Sequence, residues 1–414
     1  MVLALKLWMI VVSAIMLLYT IRHAIFTVTR LHGKQKPFYQ DLVHERLQGL
    51  TVLIPMHNEE AVAADVLDAL TSADYPRDLL EIIPIDDHST DGTHAILKTY
   101  ARRFPSIRPL FRRTGNRGKP GGLNEALVRA KHDIVLVFDA DYRPPADLLR
   151  KLGSAFLDPE VGAVMGRVVP YNSRRNLLTR LLSFERSGGY QVSQQARHSL
   201  NLLPQYGGTV GGFRKSVVVE LGGFDPSIHA EDTDLTFRLV LSGWKVVYAN
   251  AAECYEQVPE TWDARFRQLR RWSRGHTSVM MRYWWPVLRS RRLSSWQKVD
   301  GMLLLGVYVV PPLLLTGLTS QVLLILLGDA TALQSVVIGI IVVMYSAFGN
   351  FAPIFEVGAA EILDGGRQRL YLLPLLFLLF LYNSWCVTLG MLDALGNAIW
   401  RREQAWEKTA HAGT

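Results

Sequence analysis

Three stretches without a charged residue, at 301–327, 330–355 and 370–392, constrain this chain more than any other feature. Each exceeds the ~20 residues that an α-helix needs to cross the hydrocarbon core of a bilayer. A bundle of such helices alone would not carry 20% Asp, Glu, Lys and Arg, and an ordinary soluble enzyme would not reach 49% hydrophobic residues with runs of this length. The 414 residues are therefore expected to divide between lipid and water. Pro311, Pro312 and Pro353 are expected to kink the spans, which membrane helices tolerate when neighbours satisfy the freed carbonyls.

A shorter apolar run, 7–21, lies between Lys6 and Arg22, and apolar character resumes over 24–28. No small-residue cleavage site follows, so the segment 1–28 reads as an anchor rather than a removed leader. Arg22, Arg30, Lys34 and Lys36 after the run, against Lys6 before it, place the next domain in the cytoplasm. One and then three spans would put the C-terminus outside, whereas Arg401, Arg402 and Lys408 argue for inside; a re-entrant run would reconcile the two. The net charge of +8 gathers between 265 and 298, interleaved with Trp272, Tyr283, Trp284, Trp285 and Trp296. That pattern suits helices on an anionic leaflet better than a nucleic-acid surface. Cys254 and Cys386 fall in the water-facing and lipid-facing parts respectively, so neither a disulfide nor a thiolate metal site is expected.

Between the anchor and the basic belt the chain alternates short apolar runs with helical periodicity, the mark of an α/β domain. Residues 51–55 (TVLIP), 81–85 (EIIPI) and 133–138 (DIVLVF) read as buried parallel strands, and 59–72 and 90–104 as helices, the second opened by Ser89-Thr90-Asp91-Gly92. Ligands of open α/β sheets bind beyond the carboxyl ends of the strands. Asp86-Asp87 and Asp139-Ala140-Asp141 stand there. One such Asp is commonly a turn or cap residue. Two carboxylates one residue apart can instead share a divalent cation whose hard oxygen coordination also suits a diphosphate.

Lys119-Pro120-Gly121-Gly122-Leu123-Asn124 lacks the spacing of a P-loop; Lys119 can reach a phosphate as a point charge, or the segment is an exposed loop before a helix starting near Leu123. The glycines at 207, 208, 211 and 212 suit a close-packed turn, and at a cleft they would leave room for an acceptor. Glu231-Asp232 reads either as acidic capping of the stretch 235–239 or as a general base, because sugar hydroxyls are poor nucleophiles until their proton is taken. Attack opposite a leaving diphosphate would invert the anomeric centre with no covalent intermediate. Gln268-Leu269-Arg270-Arg271-Trp272 is either an interfacial anchor or a binding group, in which the indole stacks on a sugar ring and the guanidinium of Arg271 holds a diphosphate.

Taken in order, Asp86-Asp87, Lys119, Asp139-Ala140-Asp141, Glu231-Asp232 and Gln268-x-x-Arg271-Trp272 resemble the processive family 2 glycosyltransferases, among them cellulose, chitin, hyaluronan and poly-N-acetylglucosamine synthases. The resemblance spans 51–272 and the flanking apolar helices. It implies a cytoplasmic α/β GT-A domain, Rossmann-like in its nucleotide-sugar binding, flanked by transmembrane α-helices of the plasma membrane. The implied organisation is an anchor at 1–28, the GT-A domain at 49–255, interfacial helices at 256–298, transmembrane helices at 299–395 and a polar tail at 396–414. A UDP-sugar donor, UDP-N-acetylglucosamine or UDP-glucose, and Mg2+ or Mn2+ follow from it.

Carried over residue by residue, the resemblance makes Asp87 a nucleoside contact, Asp86 a donor contact beside it, and Asp139 and Asp141 the diphosphate and metal site. Lys119 and Arg271 become donor contacts, Asp232 with Glu231 the catalytic base, and Gln268 and Trp272 acceptor contacts. Two departures stand out. His88 occupies a place where glycine is common, and no gating loop of the cellulose synthase type follows the basic belt. The implied product is a growing β-linked polysaccharide, with export through a homodimer or partner, since three spans do not readily enclose a channel. Ceramide glucosyltransferases carry similar acidic motifs and an Arg-Trp pair, so a single transfer to a membrane lipid is the alternative, and a non-catalytic export subunit a further one. Product length separates the first two. Asp139, Asp141 and Asp232, all present, speak against the third.

Overall fold

The computed structural model describes residues 1–36, 47–115, 118–328 and 354–400. A helix α1 (Val2–His32) leads into the first half of a sheet: β1 (Leu50–Met56), α2 (Ala63–Thr71), β2 (Leu80–Asp87), α3 (Thr93–Arg103), β3 (Leu110–Arg112), α4 (Lys119–Arg129) and β4 (Ile134–Val137). The second half runs α5 (Leu148–Gly153), β5 (Val161–Pro170), α6 (Leu177–Ser187), a π-helical turn (Gly188–Gln194), α7 (Gln195–Ser199), β6 (Gly211–Arg214), α8 (Lys215–Glu220), α9 (Glu231–Ser242) and β7 (Lys245–Glu256). Then come α10 (Trp262–Arg289), α11 (Ser295–Leu305), α12 (Val310–Leu326), α13 (Ile354–Leu363) and α14 (Leu376–Trp400).

The described strands form one sheet in the order β3-β2-β1-β4-β6-β5-β7. As the sequence predicts, β1 lies parallel to β2 and β4. These strands are apolar along both faces because both are covered: Val52, Ile54, Leu136 and Phe138 enter one core, and Leu53, Val135 and Val137 the other. The β6 pairings to β4 and β5 are antiparallel, which the spacing of apolar runs did not announce. Gly211 and Gly212 make that insertion possible. A Cβ on either would collide with backbone oxygen, of Val164 and Val135 respectively.

Two boundaries differ from expectation. Helix α4 begins at Lys119, not near Leu123, because Pro120 sits in its first turn, where the missing N–H costs nothing. Helix α9 begins at Glu231 itself, with Glu231, Asp232 and Asp234 in its first turn.

Among the described residues, two helical segments are long and apolar enough to cross a membrane, Val2–His32 and Arg367–Trp400, and the bent pair Ser295–Tyr308 and Val310–Leu326, at 65°, makes a third if it is one span. The break falls just before Pro311-Pro312, and 301–327 is therefore not one straight helix. Most of the expected run 330–355, and the tail basic residues Arg401, Arg402 and Lys408, lie outside the described residues. Arg22, read above as a flanking charge, is inside the protein at 7% exposure, where its Nε and Nη2 donate to Asp300 Oδ1 at 3.0 Å. A counter-charge on α11 makes that burial affordable.

Helix α10 rides on α14. Gly390 presses against the backbone of Arg270, Ser273 Oγ donates to the Val387 carbonyl at 2.7 Å, and Arg270 pairs with Asp393.

Candidate active site

Sheet topology brings the acidic motifs together. Asp87 ends β2 and Asp139 follows β4, and these strands flank β1 at their carboxyl ends. A cavity of about 1430 Å³ opens there, and Asp87, Lys119, Asp139, Asp141, Glu231, Asp232, Gln268, Arg271 and Trp272 all line it. Asp86 is not among the lining residues. It is 1% exposed and its carboxylate is committed elsewhere, Oδ1 accepting from Ser89 N at 3.1 Å and Oδ2 standing 3.0 Å from His94 Nδ1.

Asp87 fastens the loop before α4 to the sheet. Its Oδ2 accepts from Gly118 N at 2.7 Å, and its Oδ1 meets Arg112 and, at 2.8 Å, His88 Nδ1. His88 has φ +61, the left-handed region that glycine enters freely, so the histidine in the place of a glycine carries a backbone cost that its Asp87 contact offsets.

Lys119 joins motifs that are far apart in sequence. Its Nζ donates to Asp139 Oδ1 at 2.8 Å and to the Gly208 carbonyl at 2.9 Å, and lies 3.8 Å from Glu231 Oε1. Burial lowers the lysine's pKa, but Asp139 and Glu231 outweigh it and leave the group pushed up to about 12. Burial also raises Glu231 to about 7, with Lys119 opposing and Asp232 adding to the rise. Asp141 is pushed well above the usual carboxylate range by burial, then by Asp139 and Glu256. Asp232 Oδ1 accepts from Thr233 N at 2.6 Å, and its side chain abuts Gly208, where a Cβ would crowd it. Arg271 loses basicity to burial, while Glu231, Asp139 and Asp232 act in the opposite sense.

This wall carries more carboxylate than nearby cation, and its donors are hard oxygens. Among the described residues no three His, Cys, Asp or Glu side chains gather as a self-sufficient metal site. Asp139 and Asp141 offer carboxylate oxygens, the hard donors that suit a divalent cation.

On α10, Gln268 and Trp272 are held from behind. Arg265, 1% exposed, donates through Nη1 to Gln268 Oε1 at 2.9 Å and through Nη2 to both oxygens of Glu185 at 2.7 Å. The Trp272 ring has the Arg186 guanidinium 5.1 Å and the Arg265 guanidinium 5.8 Å from its centroid. His276, one turn on, stacks on Tyr308 at 4.5 Å and places Nδ1 3.3 Å from Thr233 Oγ1. Sequence reasoning missed Arg265, Arg186 and His276. For Arg265 and His276 the signal was present, since 265, 268, 272 and 276 share one helical face.

Comparison with known proteins bears on the family and the fold. The family described as "Glycosyltransferase like family 2" matches residues 48–275. The chain is 28% identical over 379 residues to a β-monoglucosyldiacylglycerol synthase of Nostoc, covering 91% of this chain and 79% of that protein. It is 27% identical over 371 residues to a poly-β-1,6-N-acetyl-D-glucosamine synthase of Staphylococcus epidermidis, covering 86% and 84%. Against a probable glycosyltransferase of Bacillus subtilis, 34% identical over 242 residues, the chain spans 58% of that relative's length. A mannosyltransferase of Pyrobaculum calidifontis, solved with GDP-Man and Mn2+, shares the fold at a TM-score of 0.63 and 23% identity, covering 96% of this chain and 100% of that one.

Proposed function

The chain belongs to the glycosyltransferase-like family 2, and from that premise we propose that it moves a sugar from a UDP-sugar to a hydroxyl of an acceptor presented at a membrane, with inversion at the anomeric carbon. The observation that carries this reading is the single cavity. Donor-side Lys119, Asp139 and Arg271 share it with Asp232, and Arg22 and His23 of the apolar helix α1 line it as well.

Asp87 and the loop it fastens meet the nucleoside, and Lys119 and Arg271 approach the diphosphate as fixed cations. Asp139 and Asp141 would hold Mg2+ or Mn2+, which when bound offsets charge on the leaving diphosphate. Asp232 accepts the acceptor proton as the glycosidic bond forms. Asp139, and after it Glu231 at 3.8 Å, favour the charged form of Lys119. Gln268 and Trp272, braced by Arg265, form the acceptor side.

The wall from α1 favours a membrane lipid as acceptor, and similarity to a glucosyl-lipid synthase over 91% of the chain supports it. A growing β-linked polysaccharide is the second reading, supported by the synthase resemblance and by Gln268-x-x-Arg271-Trp272. The test uses membranes bearing the full chain, labelled UDP-sugars and Mn2+, with products extracted into solvent and sized. Asp232→Asn is expected to reduce transfer about a thousandfold while UDP binding stays. Transfer that survives this substitution overturns the assignment of the base. A solvent-extractable single-sugar lipid supports the first reading, and a long insoluble product supports the second.

A further inference from the structure

The cavity is polarised. At the sheet it is lined by Asp139, Asp141, Glu231 and Asp232, whereas at the α1 side it is lined by Arg22, His23 and Arg197. The partners of these side chains stand behind them. Asp300, 4% exposed, takes Arg22 on Oδ1 and faces Arg197 Nε at 3.4 Å on Oδ2, and Glu356, fully buried, meets His23 on one oxygen and accepts from Ser193 Oγ at 2.8 Å on the other. Neither carboxylate lines the cavity. Two guanidiniums thus share one carboxylate and face an enclosed space. Both are 7% exposed, and Arg197 Nε is buried without a hydrogen-bond partner among the described residues. Phe26 lies beneath the two, 5.0 Å from the Arg22 guanidinium and 5.4 Å from that of Arg197.

We propose that Arg22 and Arg197 form a second anion-binding subsite, distinct from the donor diphosphate site, that takes a phosphate group carried by the membrane-borne acceptor. A phosphate oxyanion matches the fork geometry of arginine and offsets the charge of two guanidiniums that have one carboxylate between them. The carboxylate-lined end repels the same group, so the acceptor is oriented as well as held. Near α7, Gln194 exchanges hydrogen bonds with the Gln205 backbone, and Gln205 Nε2 donates to Thr233 Oγ1 at 2.7 Å, next to Asp232. Two sources could supply the phosphate. Because α1 forms the wall, a lipid headgroup is the one chosen here, and free phosphate is the competing source. The acceptor role rests on the glycosyl-transfer reading, whereas the anion site itself does not.

The test uses the full chain in neutral detergent with saturating UDP and Mn2+, so that the donor site is filled. Binding of decyl phosphate, decanol and inorganic phosphate is measured by calorimetry for the wild type, Arg197→Gln and Arg197→Lys, with UDP affinity as the check on folding. The expected result is decyl phosphate binding at least tenfold tighter than decanol, weakened at least tenfold in R197Q and less in R197K, with UDP affinity unchanged. Equal binding of decanol, or R197Q binding decyl phosphate like the wild type, overturns the site. Inorganic phosphate binding as tightly as decyl phosphate overturns the lipid source, and weaker binding supports it. Should R197Q lose UDP binding, the wild-type comparison of decyl phosphate with decanol decides alone. Phosphate binding without sugar transfer from any donor overturns the functional reading and leaves the site, while transfer without phosphate binding overturns the site only.

Discussion

Glu231 is a residue whose protonation the fold sets. Its folded pKa, about 7, lies above the ordinary 4.5, so the folded state holds a proton that the unfolded chain has released. The contribution of this group to stability, without metal or donor, therefore falls as pH rises from about 4.5 through 7. Glu231→Gln removes this dependence. Its thermal melt is expected to exceed that of the wild type above pH 7 by an equivalent of about 3 kcal/mol, and to converge with it near pH 4.5; parallel curves across the range would refute the assignment. His88 gives a second test at this scale. Alanine there keeps the left-handed backbone cost and loses the Asp87 contact, whereas glycine loses both. Melts should rank H88A below H88G by about 1 kcal/mol, and the reverse order would place the strain elsewhere.

At the scale of elements, α10 carries Gln268, Arg271 and Trp272, and its position depends on α14. A Cβ on Gly390 would meet the Arg270 carbonyl at 2.6 Å and Ser273 Cβ at 2.8 Å. Gly390→Val is expected to cost about 1–3 kcal/mol through overpacking and to lower transfer at least tenfold while UDP binding holds, because the shift falls on the acceptor side. Equal loss of UDP binding would mean a general collapse instead. The elements also show where sequence is a good guide. Strands β1, β2 and β4 were legible because short apolar runs ending in polar residues have few other readings in an α/β chain. The start of α4 was hidden by Gly121-Gly122, which look like a loop, although Pro120 marked the first turn. The insertion of β6 between β4 and β5 was hidden more deeply, since nothing local tells a four-residue strand containing two glycines from a turn. Within the site, spacing brought out the carboxylates, whereas the cover that Arg186 gives Trp272 joins residues far apart along the chain.

For the whole molecule, the carboxylate wall and the diphosphate are expected to share one ion, so their binding should be coupled. A ligand present at a hundred times its Kd stabilises the fold by about 2.7 kcal/mol. Mn2+ and UDP together should raise the melting temperature by more than the sum of their separate shifts, and Asp141→Asn should abolish the excess. Strict additivity would separate the two sites.

Arg22 and His23 meet their carboxylates across 278 and 333 positions of chain. At ribosomal speeds of ~5–20 residues per second, Asp300 emerges on the order of tens of seconds after Arg22. Throughout that interval the first helix is apolar enough to enter a membrane, yet it carries an arginine whose counter-ion does not exist, a state that costs about 2.5–3.5 kcal/mol at the centre of a bilayer. Biogenesis of this protein thus has a vulnerable window. A nascent chain halted before residue 300 would possess the sheet and its acidic edge but lack the clasp that closes the cavity, and it would be a natural client for insertion chaperones and quality-control proteases.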